Sequence, residues 1–396
     1  MSDARANLAA GWQTNSPWWA TNRFALNVMT ELEMNAVPLV SVVIASYNHA
    51  AYVRACLDSV LTQTLQHFEI VITDDGSVDE TVSIIRSIND PRIQLEVFEQ
   101  NRGACVAFNH AICRARGRYI AILNSDDCFL PHKLQRQVGF LHANPQVGAV
   151  FAHPQLINES GGQFADSAHK DFSVFHVGNR SRHDWLRYFF DHGNCLCHPS
   201  VMIRRECYEQ LGLLDARLAQ VPDLDFWIRL TRRFDIHVLP EALLSFRIRD
   251  NQQNASAGRP EVIVRDLWER QRILRHYLGW GAEEFSAVFP EYREWLDRSS
   301  PDQLLARHAI SLGTPFHVGF GLEAWFASLP SDGCGPEYVD FIRQTGLSDI
   351  HHVLQLRALR QQLDELVTIR SAAVPAAEQP ESTHRRRWWS RLLRSN

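Results

Sequence analysis

The segment Tyr119-Ile-Ala-Ile-Leu-Asn-Ser-Asp-Asp127 joins a short apolar run to two adjacent carboxylates. An apolar run of this kind is typical of a buried strand, so the two acids follow at the carboxyl end of that strand. Two neighbouring negative charges beside a core are costly unless a cation neutralises them. A divalent metal ion that also holds a diphosphate would do so, whereas the competing interpretation is an ordinary turn or helix cap, where Asp is common.

Strand-like and helix-like segments alternate on both sides of this motif. Strands are predicted at 39–44, 68–73, 92–98, 119–123 and 147–151, and helices at 53–61, 82–88, 103–116 and from Pro131. The pattern Ser77-x-x-Glu80 predicts a capping box ahead of the second helix. The alternation predicts an α/β fold, with a mostly parallel, doubly wound, Rossmann-like sheet flanked by helices.

Three polar clusters fall where predicted strands end, namely Ser46-Tyr47-Asn48, Asp74-Asp75-Gly76-Ser77 and Asn124-Ser125-Asp126-Asp127. Because ligands bind outside the carboxyl ends of the strands in such sheets, we expect all three clusters on one rim. Turn chemistry explains any one cluster by itself. A carboxylate on this rim would accept a hydrogen bond from a nucleobase, and Tyr47 offers a flat face for the ring.

Composition and missing motifs weigh against several classes of function. The formal charge of −5 gives no overall attraction to nucleic acid. The chain has neither G-x-G-x-x-G after the first strand nor G-x-x-x-x-G-K-[ST], which weighs against a dinucleotide oxidoreductase and a P-loop enzyme. No apolar stretch reaches the roughly 18 residues of a membrane span. A start without a secretory signal and eight scattered cysteines predict a cytoplasmic protein with reduced thiols.

Longer motifs carry a resemblance to one protein family. They are PLVSVVIASYNHAAYVRACLDSVLTQT, FEIVITDDGSVDET, NRGACVAFNHAICRARGRYIAILNSDD and PHKLQRQ, followed more loosely by HPSVMIRR, LGLLD, PDLDFWIRL and FRIRDNQQNAS. Residues 38–130 thus resemble the family 2 glycosyltransferases of the GT-A fold, of the type that builds bacterial surface glycans. The resemblance implies a nucleotide-diphosphate sugar donor, a divalent cation (Mn²⁺ or Mg²⁺) and transfer with inversion.

The resemblance also implies roles for residues in the first two polar clusters. Tyr47 and Asp75 would hold the nucleobase, with help from backbone groups near Ala45 and Ser46. The segment Asn101-Arg102-Gly103 would lie near the base and the ribose. Asp75 favours a uridine nucleotide without excluding others.

The acidic motif matches the family with two departures. By resemblance, Asp126 would lie near the donor sugar or the ribose, and Asp127 would bind the metal. Asn124 stands where Asp is frequent, and Arg249 stands where the family often has a metal-binding His. An Arg cannot ligate a metal but pairs with a diphosphate, so Arg247 or Arg249 would offset phosphate charge.

The segment Pro222-Asp223-Leu224-Asp225-Phe226-Trp227 holds the predicted catalytic base. Inverting transfer needs a group that takes the proton of the acceptor hydroxyl, and Asp223 aligns with the family's base. Asp225 is the rival, and both acids also suit a helix N-terminus. Pro222 replaces a common Glu. On the acceptor side, Trp227 would stack on a sugar ring or belong to the core, and His198 would face the acceptor or be structural.

The chain is predicted to have four segments. They are an N-terminal arm at 1–36, the GT-A domain at 37–255, a helical C-terminal region at 256–370, and a linker with a basic amphipathic tail at 371–396. As a helix, residues 384–394 carry Trp and Leu on one side and Arg on the other, which is the composition of an interfacial anchor. A disordered basic tail or a protein-binding tail is the alternative. The anchor would place the protein peripherally on the cytoplasmic face of the inner membrane.

These observations predict a metal-dependent inverting glycosyltransferase. It would move a sugar from a UDP-linked donor to a glycan or lipid-linked acceptor in bacterial cell-surface polysaccharide synthesis. One alternative is a non-catalytic nucleotide-sugar binding or scaffold protein, motivated by Asn124, Pro222 and Arg249. The other is a nucleotidyltransferase, which would carry a Gly-rich basic loop after the first strand, where SYNHAAY has neither Gly nor Lys or Arg.

Overall fold

The computed structural model describes residues 37–164, 173–249 and 260–329. The chain divides into two compact units, Met1–Ala257 and Gly258–Asn396. The predicted N-terminal arm, residues 330–370 of the predicted helical region, the linker and the amphipathic tail lie outside the described residues.

The first half of the first unit alternates strands with helices, as the sequence predicts. Its strands are β1 (Val40–Ser46), β2 (Phe68–Asp74), β3 (Ile93–Val97) and β4 (Tyr119–Asn124), and its helices are α1 (Val53–Leu61), α2 (Thr81–Arg86) and α3 (Ala104–Arg114). The strands β1, β2 and β4 are rich in Val and Ile and are buried along almost their whole length. Such strands fit the middle of a sheet that is covered on both faces.

The second half of the sheet is mixed and was only partly predicted. It contains β5 (Cys128–Phe129), β6 (Val147–Ile157), β7 (Met202–Arg204) and β8 (Asp235–Arg247), with helices α4 (Lys133–Ala143), α5 (Arg182–His192), α6 (Arg205–Leu211) and α7 (Pro222–Thr231). The strand order is β3-β2-β1-β4-β7-β6-β8-β5. Strand β7 runs antiparallel to both β4 and β6, and β5 runs antiparallel to β8. Strands β5, β7 and β8 were not predicted, because they are short or lack a clean apolar period.

Strand register places the predicted polar clusters at one edge of the sheet. Strands β1, β2 and β4 are parallel, with Ser46 opposite Asp74 and Ala45 opposite Asn124. The loops that follow these strands therefore leave the sheet side by side. This shared edge is called the carboxyl rim below.

The predicted capping box at Ser77 is wrong. Helix α2 begins at Thr81, and Glu80 at its N-cap makes no side-chain capping bond. The Ser77 hydroxyl instead donates to Asp74 Oδ2 at 2.7 Å and accepts from the backbone N–H of Asn48 at 2.9 Å. Asp74 in the same turn and the backbone of Asn48 in the neighbouring loop thus occupy the hydroxyl that a local rule assigned to the helix.

The second unit is helical within its described residues, in agreement with the predicted helical C-terminal region. Its helices are α8 (Pro260–Ile273), α9 (Ala282–Val288), α10 (Pro301–Leu312) and α11 (Pro315–Ser328), with 3₁₀ turns at Leu274–Tyr277 and Pro290–Trp295. Helix α10 begins with a capping box in which Ser300 and Gln303 satisfy each other's backbone N–H groups. Across residues 37–164, 173–249 and 260–329, every helix is too short or too polar to span a bilayer.

Candidate active site

The carboxylate of Asp75 fixes the loop that precedes α3. It is buried, and its oxygens accept from the backbone N–H of Arg102 at 2.7 Å and of Gly103 at 2.9 Å. The backbone N–H of Asp75 donates to Ser46 O at 2.8 Å. Each carboxylate oxygen has a second lone pair, so Asp75 keeps acceptor capacity for a further donor. The predicted Asn101–Gly103 segment and Asp75 therefore lie together at the rim.

Gly76 allows the turn after β2 to pack closely against the loop that precedes α3. Its φ is +77°, and a Cβ built there would lie 2.8 Å from the carbonyl carbon of Gln100. Both observations exclude a larger residue, because other L-residues disfavour positive φ and no Cβ tolerates that distance. The turn after β2 and the segment before Asn101 are thus packed backbone against backbone.

The turn after β1 presents Tyr47 to solvent. Asn48 adopts a left-handed φ of 51°, a conformation that Asn tolerates better than most residues. Its side-chain oxygen accepts from the N–H of Val78 at 2.9 Å, which ties the turn to the loop after β2. Tyr47 is 42% exposed, and its neighbour Ser46 accepts from the backbone N–H of Asp75. Ala45 is half-buried, and the buried Ser46 hydroxyl donates to Asp74 Oδ2 at 2.7 Å.

The carboxylate of Asp127 is buried at the base of the third cluster. Its Oδ1 accepts from the backbone N–H of Arg247 at 2.8 Å, and its Oδ2 accepts from the Asn124 side-chain amide at 2.9 Å. Burial, reinforced by the charge of neighbouring Asp126, raises the pKa of Asp127 well above its ordinary value. An approaching cation would lower that pKa, so the site favours a positive charge.

Arg247 supports the acidic loop from β8. Its Nε donates to the carbonyl of Asp126 at 2.7 Å, and its Nη1 donates to the carbonyls of Asn158 and Glu159 at 3.0 and 2.8 Å. The side chain is buried, at 4% exposure. These contacts favour a structural role for Arg247, and its role toward a diphosphate stays a prediction.

A compact cluster joins the first and third loops to the end of β8. The Nδ1 of His49 lies 2.7 Å from Ser125 Oγ, and its Nε2 lies 3.1 Å from Arg249 Nη1 and 3.9 Å from Asp126 Oδ2. The Tyr52 ring packs against the His49 ring edge-on and under the Arg249 guanidinium. Burial lowers the pKa of His49, although the Asp126 charge opposes this.

The donor set fits a hard divalent cation that the protein shares with a ligand. Carboxylate oxygens of Asp126 and Asp127 are the ligands that Mg²⁺ and Mn²⁺ prefer. Within the described residues, no group of three or more His, Cys, Asp or Glu side chains could hold a metal by itself. One or two carboxylates with diphosphate oxygens and water make the usual Mg²⁺ shell in nucleotide sites.

Asp223 and Asp225 at the start of α7 have different surroundings. Asp223 is half-buried, and its Oδ2 accepts from the Asn194 amide at 2.6 Å. Asp225 is buried and forms an ion pair with Arg229, whose Nε lies 2.9 Å from Oδ2. Arg229 also donates to the carbonyls of Leu211, at the end of α6, and of Leu213, just after it. These contacts favour Asp223 as the base and Asp225 as a structural residue.

Trp227 is a core residue, which is one of the two alternatives predicted for it and argues against stacking on a sugar. Its side chain is 1% exposed and packs edge-on against Phe151, with ring centroids 4.9 Å apart. His198 is half-buried against Trp227 and Phe108. Burial lowers the pKa of His198, which keeps the ring neutral near pH 7 even though the Asp223 charge opposes the shift.

The predicted residues thus fall into two groups of contacts. One group, on the carboxyl rim, joins the loops of Tyr47, Asp75 and Asp127. The other group is Asp223 and His198, with Asn194 bonded to Asp223, and His198 packs against Phe108 of α3, the helix that begins after Gly103.

Two polar residues of these groups were not singled out from the sequence. His49 follows the Tyr47-Asn48 pair, and its polar position in a turn at a strand end was the available signal. Asn194 follows Gly193, whose φ of 83° marks a helix end, and no local pattern indicated its bond to Asp223.

Comparison with known proteins agrees with this fold. Residues 41–212 match the family model for glycosyl transferase family 2. An uncharacterized glycosyltransferase of a Nostoc species is 33% identical over 298 residues, which cover 71% of this chain and 90% of the relative. The putative teichuronic acid biosynthesis glycosyltransferase TuaG of Bacillus subtilis is 34% identical over 220 residues, or 55% of this chain and 82% of TuaG.

A solved structure shows the same fold. The S. aureus TarS fragment 1–349 in complex with UDP-GlcNAc superposes with a TM-score of 0.51 at 19% identity, covering 72% of this chain and 81% of the fragment. The fold is therefore that of the GT-A glycosyltransferases. The chain belongs to glycosyltransferase family 2.

Proposed function

We propose that this protein is an inverting glycosyltransferase that takes its sugar from a UDP-linked donor. The observation that carries the proposal is the shared carboxyl rim, where parallel β1, β2 and β4 end beside one another with Tyr47, Asp75 and Asp127 in the loops. The TarS complex with UDP-GlcNAc supports a nucleotide sugar as the donor. The name of TuaG supports an acceptor in bacterial cell-surface polysaccharide synthesis, as a glycan or a lipid-linked glycan.

The rim suits the parts of such a donor. The exposed Tyr47 ring would cover one face of the base, and Asp75 would use its remaining lone pairs for the base N–H. Asp126 and Asp127 would lie at the diphosphate and sugar. A Mn²⁺ or Mg²⁺ ion held there would supply Lewis-acid stabilisation of the departing diphosphate.

The reaction would be a single displacement at the anomeric carbon of the donor sugar. The acceptor oxygen forms the new bond to this carbon as the bond to the diphosphate oxygen breaks, and configuration inverts. Asp223 would take the hydroxyl proton of the acceptor. The Asn194 amide orients this carboxylate at 2.6 Å, while Asp225 is already paired with Arg229. His198 would face the acceptor as a neutral ring.

A non-catalytic nucleotide-sugar binding protein is the second candidate. The observation that favours it is the contact of Arg249 with His49 beside Asp126, because a cation there competes with a metal ion. Slow hydrolysis of the donor without an acceptor separates the two candidates, since a pure binder releases no nucleoside diphosphate.

We also propose the segment boundaries given above, with a GT-A domain at 37–255 and a helical region at 256–370. Peripheral attachment to the cytoplasmic face of the membrane through residues 384–394 is part of this proposal. Cosedimentation of the full chain and of a chain ending at residue 383 with anionic vesicles tests it, because only the full chain should pellet.

A donor panel tests the proposed activity. The protein is mixed with Mn²⁺ and each nucleotide sugar, and thermal stability and released nucleoside diphosphate are measured. We expect a UDP-sugar to raise the melting temperature and to be hydrolysed slowly. Absence of both effects for every nucleotide sugar contradicts the proposal, and binding without hydrolysis or transfer supports the second candidate.

A further inference from the structure

The His49 side chain connects three distant parts of the chain at the rim. Its Nδ1 contacts Ser125 Oγ at 2.7 Å, and its Nε2 contacts Arg249 Nη1 at 3.1 Å. Its backbone N–H donates to Thr81 Oγ1 at 2.8 Å, so the residue itself is anchored. The side chain is 17% exposed, which leaves little freedom to change rotamer.

These contacts select one form of the imidazole. A guanidinium nitrogen can only donate, so Nε2 must accept from Arg249 through its lone pair. A neutral ring with an acceptor at Nε2 carries its hydrogen on Nδ1, which then donates to Ser125 Oγ. His49 therefore donates to Ser125 in the acidic loop and accepts from Arg249.

Arg249 is held on two sides as a result. His49 accepts from its Nη1, and the Tyr52 ring lies 5.3 Å below its guanidinium carbon. Tyr52 also packs edge-on against the His49 ring at 5.7 Å, so one aromatic residue supports both partners. The guanidinium is thus fixed next to the Asp126 carboxylate, which lies 3.9 Å from His49 Nε2.

We propose that His49 is a positioning residue for the donor diphosphate, acting by holding Arg249 beside the acidic loop. The proposal rests on the proposed function, because it assumes that a nucleoside diphosphate binds at the rim. A fixed guanidinium suits this ligand, since it pairs with phosphate oxygens and its geometry is set before binding. Under the proposed function, the nucleoside part would bind at Tyr47 and Asp75 and would not contact the His49 side chain.

This separation gives a sharp experiment. Affinities for UDP and for uridine are measured by calorimetry on the full chain and on the variants His49→Ala, His49→Gln, Arg249→Ala and the double variant. We expect His49→Ala to weaken UDP binding about tenfold and to leave uridine binding unchanged, the size expected for one hydrogen bond to a charged group. His49→Gln should recover most of the loss, because its side-chain oxygen can accept from Arg249.

The double variant tests the link between the two residues. If His49 acts through Arg249, the double variant should bind UDP within about twofold of Arg249→Ala alone. The control is His132→Ala, an exposed residue whose side chain makes no capping bond at α4, and it should bind both ligands as the wild type does.

Each contrary outcome has its own meaning. Additive losses in the double variant overturn the positioning role of His49 while leaving the proposed function intact. Equal losses for UDP and uridine with a lower melting temperature also overturn it, because they indicate a general structural effect. A wild-type chain that binds neither UDP nor UDP-sugars overturns the inference together with the proposed function.

Discussion

The backbone N–H of Arg247 donates to Oδ1 of Asp127 at 2.8 Å, although 120 positions separate the two residues in the chain. The contact exists because β5, which follows the acidic loop directly, pairs with β8 with Cys128 opposite Ser245. Strand β8, the last strand along the chain, therefore holds the predicted metal ligand Asp127 in place. The Arg247 side chain extends the support through the carbonyls of Asp126, Asn158 and Glu159.

Replacing Arg247 by Ala should destabilise the fold by about 2–4 kcal/mol, because buried carbonyls lose their donors. Arg247→Lys should rescue little, since an ammonium cannot reproduce the forked geometry. Urea unfolding measures both changes. The matched control is Arg54→Ala, which removes an exposed ion pair with Asp58 and should cost less than about 0.5 kcal/mol. A loss for Arg247→Ala no larger than that of the control contradicts the supporting role.

Asp223→Asn should abolish transfer without affecting donor binding. A general base contributes about 10²–10⁴-fold to the rate, and an amide cannot take the proton. Steady-state kinetics with a donor and its acceptor should show a lower kcat with an unchanged dissociation constant for the donor. Asp225→Asn is the comparison, because it breaks the ion pair with Arg229 and should lower stability. If Asp225→Asn loses catalysis while Asp223→Asn stays active, the base is Asp225.

Asp75→Asn should weaken nucleoside binding at least about tenfold. The new amide NH₂ would face the backbone N–H of Arg102 or Gly103, so one donor loses its acceptor and the 101–103 loop shifts. Uridine affinity measures this, and the effect differs from that of His49→Ala, which leaves uridine untouched. Unchanged uridine affinity in Asp75→Asn rules out this residue as part of the base site.

Asp127→Asn should remove the dependence of donor affinity on divalent cations. The substitution preserves shape but removes the negative charge that a Mg²⁺ or Mn²⁺ ion requires. UDP affinity is measured with Mn²⁺ and with a chelator, for the wild type and the variant. We expect a difference between the two conditions in the wild type only. An equal effect of Mn²⁺ on the variant excludes Asp127 as the ligand.

Lys133 should make stability rise with pH just above neutrality. The ammonium is fully buried, with Nζ donating to Gln137 Oε1 at 2.6 Å, and burial lowers the pKa of Lys133 from 10.5 to about 7. Between the two values the unfolded chain binds a proton that the folded chain does not. Stability from this group is therefore lowest below pH 7 and rises by up to about 1.4 kcal/mol per pH unit above it.

The variant Lys133→Met isolates this effect. Unfolding free energies of the wild type and the variant are compared between pH 7 and pH 8.5. Thiols begin to ionise in this range, but both proteins have the same cysteines, so their contribution cancels in the difference. The unfolding free energy of the wild type, relative to that of the variant, should rise by more than about 1 kcal/mol over this interval. A constant difference between the two proteins contradicts the low pKa of Lys133.

Local patterns in the sequence determined the first half of the sheet and the edge at which the candidate site lies. Strands that are near-continuous runs of Val and Ile are apolar on both faces and are therefore buried on both. Parallel strands bring their carboxyl ends to one edge of the sheet. The positions of Tyr47, Asp75 and Asp127 in loops at that edge follow from these two facts. Periodicity and the residues that break it are properties of neighbouring positions, so a single chain displays them.

Only the tertiary structure decided which partner each polar or aromatic side chain meets. The sequence was equally compatible with Trp227 stacking on a sugar or packing in the core. The contacts of Trp227 with Phe151 and His198 show that it packs in the core. Ser77 contacts the backbone of Asn48, 29 positions away, instead of capping a helix, and His49 contacts Arg249, 200 positions away. Such choices depend on the energy of contacts between strands and loops that are distant in the chain, and no local period records them.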